Sequence, residues 1–527
     1  MHPGPSDFTY LWGPLLTMFA VMAVAPFLMR VIKKVRKWLE SDEGSSSDAK
    51  SAQEPSWSVT TGNRDARLNA DGYVGLPASA NETVDFESAR GAADAALAPE
   101  RKKAGSERLK SLDTMRGLSL SLMIFVNYGG GGYWWLDHSS WNGLTVADLL
   151  FPWFMWMMGV SMALAFKARK EQKQTRLAFM RKVCQRSANL VLISLFTDAP
   201  WNWPQKLRLT GVLQYFAVSY FWVSLAVLAT GSWDGAAARR AVRAVEGDNG
   251  ENGSVKCRFL PAIFVGRDEH GGGDDDDFAH VRLYWRELGP VLLAPALWLV
   301  LTFGVDVPGC GRGYLGPGGF ADGGTKFHCT GGSHRYIDHL VFGVRHLYGE
   351  PTCMEAYQCV PYDPEGFVGG FNAVLLTYLG LVAGRIFLHH KHPAARMTHL
   401  VVLGLPCLAV AAALCGCKQD GGLIPVNKNL WSTSYVLLMA GFGSVLLAGI
   451  YGIVDRWQLW DGAPLRYMGM NSIAIYVGSD IFEMYFPFGF HANPRQHWGE
   501  LLSNCVGVCA WFAVATELYR RKIFFKV

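Results

Sequence analysis

The sequence predicts an all-α membrane helix bundle of about eleven spans, and three observations carry that expectation. Half of the 527 residues are apolar. The apolar residues gather into runs of about twenty with few charges, the length that crosses a hydrocarbon core of ~30 Å. Polar connectors separate the runs at regular intervals, which a soluble enzyme of this size has no reason to do. The runs are 9–30, 113–130, 147–166, 186–200, 209–230, 287–305, 367–386, 398–416, 431–454, 466–486 and 499–519. Of these, 186–200 is short and 466–486 contains Asp480 and Glu483.

Basic residues fill alternate connectors, which orients the bundle. Arg30, Lys33, Lys34, Arg36 and Lys37 follow the first run, and Lys167, Arg169, Lys170 and Lys173 the third. Arg385 and Lys391 follow the seventh, and Arg520, Arg521 and Lys522 the last. The amino terminus is therefore expected in a lumen or outside, and the carboxy terminus in the cytosol. Residues 1–39 read as a signal-anchor span with a basic flank, because Met1 to Phe8 contain no Lys or Arg. Residues 40–108 are rich in Ser, Ala, Gly, Asp and Glu and are expected to be a disordered cytosolic linker before a transmembrane domain over 109–527. Loop 231–283 reads the same way, and its Asp274–Asp277 run lacks the spacing of a calcium loop. The net charge of +5 is accounted for by the cytosolic connectors. No basic patch with interleaved aromatics points to nucleic acid.

Loop 306–366 faces the lumen in this topology and differs in kind. It holds Cys310, Cys329, Cys353 and Cys359 among many Gly and Pro. Four cysteines in an exported loop point to two disulfides, and chain order favours 310–329 with 353–359. A zinc site using His328, His334 or His339 competes, but the spacings match no standard zinc pattern. No metal is expected.

The most informative segment is 127–159, a polar hairpin between two apolar runs. It carries Asn127, four consecutive glycines at 129–132 and one histidine, His138. Irregular backbone at membrane depth is tolerated where it lines a wet cavity, and a histidine there can exchange protons near neutral pH. Asn127 can donate to a developing oxyanion or simply end its helix. Thr145 and Asp148 read as a capping pair opening the next helix. Pro152 leaves the Asp148 carbonyl without its helical partner. Arg116 lies three residues after Asp113 on one helical face: a structural ion pair, or an anion-binding group in a polar cavity. Met470-Asn471-Ser472 puts polar groups on a membrane helix, for helix–helix bonds or a substrate path.

Taken together, Asn127–Gly159, Val307–Gly319, Tyr362-Asp363-Pro364-Glu365-Gly366, Ile424–Trp431 and Gly469–Ser472 resemble the heparan-α-glucosaminide N-acetyltransferase family. The resemblance runs from 109 to the end, except loop 231–283. It implies acetyl transfer from cytosolic acetyl-CoA to the terminal glucosamine of a heparan sulfate-like glycan in the lumen of a lysosome or equivalent endomembrane. Expected partners are thus acetyl-CoA, the glycan and the bilayer, with a homodimer left open. The family's catalytic histidine, in His-x-x-Trp-Asn-Gly, is matched by His138, Trp141, Asn142 and Gly143, and its active-site asparagine by Asn127. By the same resemblance Arg116, Arg208, Gln214 and Tyr215 are donor-binding candidates, and Trp141, Asn142, Asp363, Glu365, Asn427, Lys428 and Asn471 acceptor-binding candidates. The chain departs from the pattern in three places. Only eight residues precede the first span where animal members have a luminal domain, Tyr215 replaces an arginine, and Asp137 stands where a lysine precedes the histidine. A different luminal glycan and a transporter are the rival readings; no internal repeat supports the latter.

The topology makes one direct prediction. Asn81 and Asn252, each in a glycosylation triplet, lie in connectors assigned to the cytosol, so peptide mass spectrometry of protein from a secretory host finds both bare. Glycan on either would invert that part of the bundle.

Overall fold

In a computed structural model, residues 108–172, 174–197, 208–230, 277–483, 485, 487–488 and 497–525 are described. The predicted first span, residues 40–107 of the predicted linker, Asn81 and Asn252 lie outside them. The described chain is built of helices, with one two-stranded antiparallel hairpin, β1 (Asp306–Val307) and β2 (Gly311–Arg312). The helices are α1 (Lys110–Asn127), α2 (Ala147–Glu171), α3 (Arg176–Thr197), α4 (Val212–Ala229) and α5 (Asp277–Gly304). Two short helices follow in the 306–366 loop, α6 (Ser333–Val341) and α7 (Cys353–Tyr357). The chain continues with α8 (Gly369–His389), α9 (Pro393–Cys415), α10 (Thr433–Tyr451), α11 (Leu465–Met470), α12 (Ser472–Ile481) and α13 (His497–Arg520).

Seven segments of the described helices are long and apolar enough to cross a membrane: 147–170, 212–229, 286–304, 369–389, 393–415, 433–456 and 498–520. Of the other expected spans, 9–30 lies outside the described residues, and three differ from a long apolar helix through particular residues. Predicted spans 113–130 and 186–200 are helical as far as Asn127 and Thr197, but α1 carries Lys110, Asp113 and Arg116, and α3 carries Arg176, Arg181, Lys182 and Arg186. The predicted span 466–486 is not one helix. The backbone leaves helical geometry at Asn471 (φ −120°, ψ 30°), which separates α11 from α12. The last residues of the loop predicted over 231–283 are helical, because α5 begins at Asp277.

Small residues set the helix crossings. A Cβ on Gly159 of α2 would sit 2.0 Å from the Thr377 carbonyl oxygen of α8, and one on Gly380 2.0 Å from that of Trp156. The α1–α11 contact repeats the device, with Gly117 against the Leu465 carbonyl and Gly469 against that of Asp113. Without a hydrophobic force between helices in lipid, such backbone approach is what packing relies on. Arg385, read from sequence as a marker of a cytosolic connector, is instead buried against Glu287, its two Nη atoms donating to the two carboxylate oxygens at 2.7 Å each.

The 306–366 loop is a folded cap. Cys310 is bonded to Cys329 and Cys353 to Cys359, the pairing that chain order favours. His334, one of the zinc candidates, is buried with Nε2 against Thr302 Oγ1 at 3.0 Å and its ring edge-on to Trp298. Burial pulls its pKa down to about 3. On the same helix, burial pushes the Asp338 carboxyl up to about 7, against the lowering effect of the Phe367 N–H bonded to Oδ1 at 2.7 Å. Oδ2 is buried with no hydrogen-bond partner.

These two groups oppose each other in the stability profile. The Asp338 contribution is present at acid pH and is lost as pH rises through about 7, because the unfolded chain ionises freely. The His334 contribution is present above its ordinary range and is lost as pH falls through about 3. Melting in detergent from pH 4 to 8 is therefore expected to show Asp338→Asn gaining on the wild type as pH rises. A constant difference across that range would mean Asp338 is ionised throughout.

Candidate active site

The site begins with a turn only glycine can make. Gly129, Gly130, Gly131 and Gly132 have φ of 118°, 59°, 68° and 69°, four successive residues in a region that L side chains avoid. The chain thereby reverses at the end of α1 and runs back through His138 to the start of α2. There Asp148, in the first turn of α2 and fully buried, gathers the hairpin around its carboxylate. Oδ2 accepts the Ser139 N–H at 3.1 Å, the Thr145 N–H at 3.2 Å and the Thr145 hydroxyl at 3.0 Å. Oδ1 accepts His138 Nδ1–H at 2.8 Å. The backbone carbonyl of Asp148, which Pro152 deprives of its helical donor, accepts the Tyr435 hydroxyl of α10 at 2.5 Å.

The connector between α9 and α10 closes the other side. Asn142 and Asn427 form an isolated antiparallel bridge, and Gly143 N–H donates to the Val426 carbonyl at 2.9 Å. The fully buried Asn427 gives its amide to Asn142 Oδ1 at 2.9 Å and accepts the Leu430 N–H at 2.9 Å. Asn142 also donates to Asp420 Oδ1 at 2.6 Å. The next residue, Lys428, is thus carried to His138. Its Nζ lies 3.0 Å from Nδ1, 3.3 Å from Nε2 and 3.5 Å from Asp148 Oδ1.

A cavity of about 150 Å³ opens on this group. Its polar lining is Asn127, His138, Glu365 and Lys428, and its apolar lining includes Met123, Leu150, Phe151 and Tyr476. Asn127, the last residue of α1, is exposed. The helix is closed by Tyr128, whose N–H bonds the Ile124 carbonyl at 3.0 Å. With Nδ1–H donated to Asp148, the His138 lone pair resides on Nε2, the arrangement of a general base oriented by a carboxylate.

Other residues singled out by sequence are distributed differently. Glu365 reaches the cavity, but its partner is Arg208, whose Nη2 donates to Glu365 Oε2 at 2.6 Å and to Asp363 Oδ1 at 2.7 Å. Burial acts to raise the Asp363 pKa, and Arg208 with the Thr210 hydroxyl and Tyr348 N–H more than reverses it, holding the carboxyl below its ordinary value. Arg208 therefore belongs to this carboxylate cluster beside the His138 cavity, not to the Arg116 end of α1. Tyr215 donates to the Gly366 carbonyl and packs edge-on against Trp431. Gln214 is buried, accepting the Ser194 hydroxyl at 2.6 Å and so tying α3 to α4, while its Nε2 is without a partner.

Two acceptor candidates, Trp141 and Asn471, are not in the lining of this cavity. Trp141 is buried, donating from Nε1 to the Leu315 carbonyl at 2.8 Å and packing with Tyr362 and the Cys353–Cys359 bridge, so it is core of the cap. Asn471 donates to the Ile523 carbonyl at 3.1 Å and accepts the Phe525 N–H at 3.0 Å, so it anchors the tail after α13. Arg116 meets Asp113 Oδ1 at 3.1 Å and the Ser161 hydroxyl, eleven residues before Asn127 on the same helix. The sequence reading gave Asp148 only a capping role; an aspartate in the first turn after the hairpin, ten residues beyond His138, was the available sign of its partner.

Residues 108–244 match the family model described as heparan-alpha-glucosaminide N-acetyltransferase, catalytic. The chain is 38% identical over 442 residues to the mouse heparan-alpha-glucosaminide N-acetyltransferase, covering 81% of this chain and 62% of that protein. It is 38% identical over 436 residues to the human protein of the same name, covering 80% of this chain and 60% of the relative. The chain thus spans about three fifths of the length of these curated relatives. The resemblance first carried by the hairpin motifs extends over four fifths of the chain, and the proteins it is similar to there are heparan-alpha-glucosaminide N-acetyltransferases.

Proposed function

We propose that the chain is a membrane acetyltransferase that moves acetyl from cytosolic acetyl-CoA to the amino group of a terminal glucosamine in an endomembrane lumen, lysosomal or equivalent. The carrying observation is His138 held by Asp148 at 2.8 Å on a cavity that Asn127 shares. In this reading the amine attacks the thioester carbon while His138 Nε2 takes its proton. Asn127 donates to the oxygen as it gains charge, where a positioned donor is worth most. The carbon–sulfur bond then breaks, leaving an amide and coenzyme A. A direct attack needs only one histidine, which favours it over an acetyl-imidazole intermediate.

The donor has to reach this site from the other face. From Arg116 to Asn127 the helix rises about 16 Å, a length extended pantetheine covers. The apolar lining beside α1 and α2 supports a path for it. Arg116 would hold a phosphate by exchanging its bonds to Asp113 and Ser161. The two disulfides support an oxidising environment for the 306–366 cap, and so a luminal face for His138. Asn142, Asn427 and Asp363 act as struts of the cavity wall, leaving Glu365 as the carboxylate nearest an incoming ammonium.

The test is acetyl transfer from labelled acetyl-CoA to glucosamine by purified protein in sealed vesicles of known orientation. Transfer is expected only when acetyl-CoA is supplied on the face opposite the cap. His138→Ala should lower turnover by roughly 10²–10⁴ with acetyl-CoA binding retained. Sugar movement without acetyl transfer would make the protein a transporter, and an active His138→Ala would exclude the mechanism.

A further inference from the structure

We propose that Lys428 is a catalytic acid of the transfer, supplying the proton to the departing sulfur, rather than a group that binds the sugar. The proposal rests on the acetyl-transfer reading. Its physical basis is the placement of one ammonium against both the imidazole and the carboxylate that orients it. Lys428 Nζ is within 3.0–3.3 Å of the two His138 nitrogens and 3.5 Å of Asp148 Oδ1, on a side chain 14% exposed. The backbone beneath it is braced, because Asn427 is held by Asn142, by the Leu430 N–H and by the Ser432 hydroxyl that accepts its own N–H at 3.0 Å. Long lysines on a binding surface are mobile and solvated; this one is fixed against the base.

The geometry keeps the two groups from cancelling. An atom nearly equidistant from both imidazole nitrogens lies off the lone-pair axis of each, so the ammonium does not occupy the Nε2 lone pair as a well-aligned hydrogen bond would. An ammonium has three donors, and this one lies in ion-pair range of Asp148 Oδ1 at 3.5 Å. The same residue lines the cavity with His138 and Asn127, where the reacting carbonyl is expected.

The step balances without any further reactant. The amine nitrogen forms a bond to the carbonyl carbon, and its proton passes to His138 Nε2. The carbon–sulfur electron pair leaves with sulfur, which takes a proton from Lys428 Nζ. The neutral Lys428 amine, 3.0–3.3 Å from the ring, then turns onto the Nε2–H axis and takes the proton back from the His138 imidazolium. Both groups are restored, and the products are the amide and the free thiol. The close His138–Lys428 contact keeps the side-chain rotation that this return needs small.

The test uses the full chain in vesicles with acetyl-CoA and glucosamine. Lys428→Met is expected to lower kcat by roughly 10²–10³, with both KM values nearly unchanged. Lys428→Arg, which keeps the charge but does not give up a proton, is expected to keep the fold and lose kcat in the same way. In Lys428→Ala, trimethylammonium, which has an N–H and cannot be acetylated, should restore turnover, while tetramethylammonium, with the same charge and no proton, should not. A raised glucosamine KM with unchanged kcat would return Lys428 to sugar binding, and an active Lys428→Arg would overturn the proposal. So would restoration by both ions or by neither. Absence of transfer in the wild type would defeat the acetyl-transfer reading on which the proposal rests.

Discussion

Asp148 is the constraint on which the rest depends. A carboxylate with no exposure to water costs several kcal/mol unless its oxygens are matched by donors. Here they are matched by two backbone N–H groups, a hydroxyl, an imidazole and an ammonium. Each donor comes from a segment that must first be brought to the helix start: the hairpin by the four glycines, Lys428 by the Asn142–Asn427 bridge. The site is thus the solution to burying one charge, and the base, its orienting group and the nearby cation follow from it. Removing one partner leaves the others around an unmatched charge.

The bundle supplies the rigid frame for this arrangement. Gly159 and Gly380 let α2 and α8 meet backbone to backbone, so the start of α2 is fixed relative to the residues that follow the cap. Tyr435 of α10 bonds the Asp148 carbonyl. Trp431, at the start of the same segment, packs against Tyr215 and Phe151. On the other side Arg208 draws Asp363 and Glu365 together, which sets Glu365 on the cavity. Two charge clusters, one around Asp148 and one around Arg208, therefore reach one small cavity.

Much of this was legible in the sequence where the relevant physics is local. Apolar run length gave most helices, chain order gave both disulfides, and Pro152 signalled a carbonyl seeking a donor, which Tyr435 provides. The hairpin announced itself by glycines and a single histidine. What was not legible depends on distant residues. Lys428 lies 290 residues from His138, and no local pattern says that its ammonium turns toward the imidazole. Trp141 and Asn471 belong to strong motifs, yet their side chains hold the cap and the tail; a motif records that a residue matters without saying whether it touches substrate. Arg208 was a donor-binding candidate by the resemblance, standing near the position where Tyr215 replaces an arginine, and its contacts to two carboxylates of the cap, about 155 residues away, leave no local trace in the sequence. The break at Asn471 was hidden because an apolar run has the same composition whether it is one helix or two.

The central claim is that Asp148 acts through His138, and a double-mutant cycle on turnover tests it most directly. Residues that work as one unit are non-additive. The account predicts that Asp148→Asn and His138→Ala each lower kcat strongly, and that the double variant is no slower than His138→Ala alone, with all three proteins binding acetyl-CoA. Losses that add in free energy would contradict it, because Asp148 would then contribute to transfer independently of the histidine it holds.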